Sequence, residues 1–143
     1  MSVSRLLAAS ILATGLTIGP NATAQDTYCQ GYGSIGKESA NFILSLTMKE
    51  LLVIMHGDSK EFAKDTLTNL PKVLPPEAME VWEDSLNTNS GAVIGNAFKD
   101  AINLLLAGKA KSAEEVYSMM TWQCVSFGKE RFIEMVLEKM KNK

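Results

Sequence analysis

Two cysteines, Cys29 and Cys124, are the residues best equipped for chemistry: paired, they bridge; separately, they are nucleophiles or metal ligands. His56 is the one histidine, so no tight Cys/His set for zinc exists, and no metal is expected. Beside Gly57 at a predicted helix end, His56 reads as a capping or surface residue. Gly31-x-Gly33-x-x-Gly36 has the spacing of a dinucleotide loop. No strand precedes it and no βαβ unit follows, so no cofactor is expected. The three glycines read instead as turns in a lead-in over 25–36 that returns the N-terminus to the last helix. Gly-x-Ser-x-Gly is absent. Acids cluster as Glu77, Glu80, Glu83 and Asp84, as Glu114 and Glu115, and as Glu130, Glu134 and Glu138. A convergent pair could perform glycoside-hydrolase chemistry, which leaves a small hydrolase as one alternative. The i,i+4 stripe of Glu130, Glu134 and Glu138 reads as a solvated face relieved by Lys129 and Arg131, or as a face for a basic partner. No catalytic residue is assigned.

Side chains suited to protein contact are better represented. Tyr28, Tyr32, Trp82, Tyr117 and Trp122 are of the type that anchors interfaces, and Met119 and Met120 stand beside Trp122. At 3.6 residues per turn, Met119 and Trp122 share a flank about 100° from Met120 and Cys124. The helix carrying them is therefore apolar over a wide arc, which either a surrounding bundle or a partner must cover. The candidate partner-binding residues are Trp122, Met119, Tyr117, Glu130 and Glu134.

The elements that must position these residues are helical. Phe42, Ile43, Leu46, Leu51, Leu52, Ile54 and Met55 form a helical stripe from about Ile35 to Gly57. Asp58 with Glu61 has capping-box spacing for a second helix, lined by Phe62, Ala63, Leu67 and Leu70 and ended by Pro71. A third follows Pro75-Pro76 and carries Met79, Trp82 and Leu86. Ser90 is placed to cap a fourth, with Ile94, Ala97, Phe98, Ala101, Ile102 and Leu105. Ser112 and Glu115 open a long fifth, on which Val116, Met120, Cys124 and Phe127 share a stripe that continues past a kink at Gly128. With almost no period-2 alternation, the chain is expected to fold as an all-α bundle of about five helices.

Residues 1–24 read as a secretory signal. Arg5 precedes an apolar run from Leu6 to Ile18, Gly19-Pro20-Asn21 breaks it, and Ala22-Thr23-Ala24 supplies small residues for cleavage. The run of about 13 residues is short of the roughly 20 that span a bilayer, and Cys29 lacks a lipobox, so no stable membrane insertion is expected. The remaining 25–143 is expected to form a single domain in the periplasm or outside the cell. There an oxidising environment favours a Cys29–Cys124 disulfide. Of the 14 basic residues the leader holds one, leaving 13 against 16 acids and a formal charge of −3. That balance does not suit nucleic acid, whose binders neutralise phosphates with a basic surface. With 46% hydrophobic and 21% charged residues the chain is not a disordered acidic tail either.

Cys29, Val116-Tyr117 and Cys124 together resemble the pattern of small exported bacterial two-cysteine helical proteins. Tyr28-Cys29-Gln30-Gly31-Tyr32 resembles the start of periplasmic immunity proteins, which neutralise secreted toxins. The resemblance implies a non-enzymatic protein binder, an inhibitor or immunity protein, without specifying inhibitory residues. The alternative of another class is a structural or stress-related envelope protein that pairs with itself as a homodimer.

Overall fold

The computed structural model describes residues 24–56 and 60–141. The leader up to residue 23 and Asp58, the expected cap of the second helix, lie outside the described residues. Seven α-helices are described: α1 Ala24–Leu44, α2 Met48–Met55, α3 Lys60–Asn69, α4 Pro76–Thr88, α5 Ala92–Leu106, α6 Ala113–Phe127 and α7 Lys129–Lys141, with a 3₁₀ turn at Leu70–Lys72.

The lead-in is the largest departure from expectation. Residues 25–36 are not turns but the first half of α1, a continuous 21-residue helix. Its glycines are there because neighbouring helices come too close for a side chain. A Cβ on Gly31 would meet the carbonyl of Glu77, one on Gly33 would meet Thr121 Oγ1, and one on Gly36 would meet the Met120 thioether. Helix α1 is thus the axis of the bundle. It lies against α6 most extensively and then against α4 and α5. Tyr28, Cys29, Tyr32, Ile35 and Ala40 of α1 are buried among Val81 and Trp82 of α4, Val93, Ile94 and Ala97 of α5, Val116 and Met120 of α6, and Phe132 and Val136 of α7. Cys29 and Cys124 are bonded, tying the axis to α6.

Two expected helices are each divided. The stripe from Phe42 to Met55 breaks at Ser45–Thr47, because Thr47 forms a capping box with Glu50. The Glu50 amide donates to Thr47 Oγ1, and Glu50 Oε1 accepts from the Thr47 amide at 2.9 Å. The last helix ends at Gly128, whose φ of 83° and ψ of 151° suit glycine alone, and α7 restarts at Lys129. Ser90 does not cap α5. Gly91 is the N-cap, with φ 81°, and the hydroxyl of buried Ser85 accepts from the Val93 amide at 3.1 Å and the Ile94 amide at 3.3 Å. Ser112 does cap α6, accepting from the Glu115 amide at 3.2 Å. His56 is the exposed C-cap of α2.

Candidate functional site

Helices α5 and α6 both pack on α1, and a short connection joins them. Gly108, with φ 72°, turns the chain out of α5, and the Lys109 and Ala110 amides donate back to Leu104 O at 3.0 and 3.1 Å. Ala110 is buried, and Ser112 starts α6. Between the two helices lies a cleft of about 640 Å³. From α5 and its C-cap it takes Asp100, Asn103, Leu104 and Ala107, an i, i+3, i+4, i+7 strip. Ser118, Met119, Trp122 and Gln123 of α6 repeat at i, i+1, i+4, i+5 and form the opposite wall. Lys109 stands where the cleft opens into a neighbouring hollow lined by Glu114 and Glu115.

Trp122 is 62% exposed, although its size and apolarity would favour burial. Trp82, by contrast, is 4% exposed and packs against Phe98 with ring centroids 6.4 Å apart. Of the five aromatics expected as interface anchors, Tyr28, Tyr32 and Trp82 therefore serve the core instead.

One polar group reaches the cleft from that core. Fully buried Tyr32 donates its hydroxyl to Asp100 Oδ2 at 2.8 Å and accepts from Asn96 Nδ2 at 2.7 Å. Asn96 Nδ2 also lies 3.3 Å from Asp100 Oδ2. Burial, reinforced by the Asp100 charge, holds the Tyr32 phenol well above its usual range. Phe132 meets the Tyr32 ring edge-on at 4.6 Å and locks it. The half-buried Asp100 carboxylate is thus fixed at the meeting of this cleft and a second hollow along α5 and α7.

Met119 and Trp122, both expected from sequence, are brought together in the cleft. Tyr117 is on another flank of α6, half-buried near Lys37, which bridges α1 to Glu114 at 2.8 Å. Burial pushes the Tyr117 phenol up. Glu130 and Glu134 are exposed on α7 and do not line the cleft. Arg131 Nη1 lies 3.4 Å from Glu134 Oε1, across one helical turn. Asp100 was not singled out by the sequence reading. Its signal was the recurrence of Asn96, Asp100 and Asn103 along a mostly apolar helix.

The acids of α4 gather elsewhere. Glu77, Glu80, Glu83 and Asp84 share a hollow of about 340 Å³ with Tyr28 and Lys129, whose ammonium sits 4.9 Å from the Tyr28 ring centroid. Among the described residues no group of three His, Cys, Asp or Glu side chains is arranged to hold a metal ion. Among them, too, no helix is long and apolar enough to cross a membrane. No protein-family model, curated protein or solved structure matches the chain.

Proposed function

We propose that this chain is an exported, non-enzymatic protein-binding domain, acting in the periplasm, whose contact surface is the α5–α6 cleft. The observation that carries the reading is the exposed indole of Trp122 at an apolar cleft, beside Met119 and Leu104. A tryptophan held in water by a disulfide-braced helix loses little conformational freedom on binding and releases a large apolar area from solvent. An inhibitor or immunity role is the concrete version. A small, rigid domain occupying another protein's surface needs no catalytic group of its own.

The test is site-specific photocrosslinking in the native cell envelope, with the crosslinker at Ser118 or, as a control, at Thr88 on α4. The expected result is one protein captured from Ser118 and not from Thr88. Trp122→Ala should weaken its binding at least about thirtyfold, as for an interface hot spot. Equal capture from both positions, or none from Ser118, would overturn the reading. Capture of a second copy of this chain from Ser118 would establish the homodimer instead.

A further inference from the structure

We infer that the α5–α6 cleft recognises a cationic side chain of its partner, a lysine or arginine flanked by apolar residues, with Asp100 as the counter-charge. The inference rests on the protein-binding reading above and specifies the chemistry of the bound segment.

Three observations converge. Asp100 is oriented before any ligand arrives, because Tyr32 and Asn96 both engage its Oδ2. Both bonds go to Oδ2 rather than Oδ1, and a carboxylate already fixed in place costs little ordering on binding. Leu104, Ala107, Met119 and Trp122 give the walls around it, which also hold Asn103, Ser118 and Gln123, a mainly apolar surface, so a charge meeting Asp100 there is screened less than on open surface. Those walls also match the methylene stem that a lysine or arginine lays along apolar surface, and an indole attracts a cation to its face. Finally, residues 25–143 carry a formal charge of −3, which favours encounter with a basic segment, although Lys109 lines the cleft beside Asp100, Lys99 and Lys139 line the hollow on its other side, and Glu114 of the adjoining hollow is paired with Lys37.

The test uses calorimetry on the oxidised protein with three probes: acetyl-Leu-Lys-Leu-amide, the same peptide with norleucine for lysine, and hexylammonium. The lysine peptide is expected to bind about tenfold more tightly than the norleucine peptide, the difference one charge-assisted hydrogen bond supports. Asp100→Asn, nearly isosteric, should reduce that preference to less than about twofold at an unchanged melting temperature. Tyr32→Phe should reduce it in part by freeing the carboxylate to rotate. Should Asp100→Asn melt early, the norleucine comparison in the unaltered protein still decides. Equal affinity for the two peptides, binding of neither, or a lysine preference that survives Asp100→Asn would overturn the inference. Hexylammonium binding without peptide binding would overturn the assignment to a partner's side chain and give the site to free amines. Each of these failures leaves the Ser118 crosslink unaffected, so the cation and the protein-binding reading fail separately.

Discussion

At the scale of single residues, the tyrosines supply the sharpest expectation. The chain has three, and all are held above their ordinary value of about 10. Burial is the leading cause at Tyr28, Tyr32 and Tyr117, with Asp84 adding to the first and Asp100 to the second. A phenol whose folded pKa is raised binds its proton longer in the native state. The associated stability is complete below about pH 10, where unfolded phenols are also protonated, and is lost as pH rises from there toward the folded values. Phenolate absorbance of the native protein should therefore stay low through about pH 10 and rise together with the loss of helical circular dichroism. Half of the phenols titrating at pH 10 with the helices intact would contradict the burial described. This scale was also the least legible beforehand. An aromatic residue type does not distinguish Tyr32, fully buried, from Trp122, largely in water, because which helix flank is covered depends on neighbours distant in sequence. Asp100 was missed for the same reason, since the groups that orient it come partly from Tyr32, 68 positions away.

At the scale of elements, helical periodicity located the apolar stripes, and its failures have definite causes. Gly31, Gly33 and Gly36 carry the same local signal whether a chain turns or two helices touch, and only the partner surfaces on α4 and α6 decide. Gly33→Ala puts its Cβ against Thr121 Oγ1 and should cost about 1–3 kcal/mol in denaturant unfolding. Gly95→Ala, on α5 with open space at its Cβ, should be neutral or stabilise by up to about 1 kcal/mol. If the two substitutions behave alike, the close α1–α6 approach is wrong. Gly128→Ala forces a backbone conformation that side chains disfavour and should cost about 1–3 kcal/mol, although the position joins two helices that sequence reads as one. The Thr47–Glu50 capping box was readable as a Thr-x-x-Glu pattern, but it sits inside an apolar stripe strong enough to obscure it.

For the whole molecule, the disulfide joins residues 95 apart and so closes most of the described chain into one loop. Replacing both cysteines with serine should lower stability by up to about 4.7 kcal/mol on the chain-entropy account, read as a fall in the denaturant midpoint. No change on replacement would mean that the unfolded chain is already held compact by other contacts. The axial position of α1 has a consequence for the order in which the molecule can be assembled. A chain delivered amino end first presents its central helix at once, while that helix's most extensive neighbour, α6, emerges 69 residues after α1 is complete. Until then Tyr32 and Ile35 have no complete shell to enter, and early segments have little reason to settle. A chain ended after Ala110 should accordingly show little stable helix by circular dichroism, rather than a bundle missing one edge. Delivery thread by thread through a narrow passage is thus compatible with this architecture, because the fold withholds its axis from closure until its late helices have arrived.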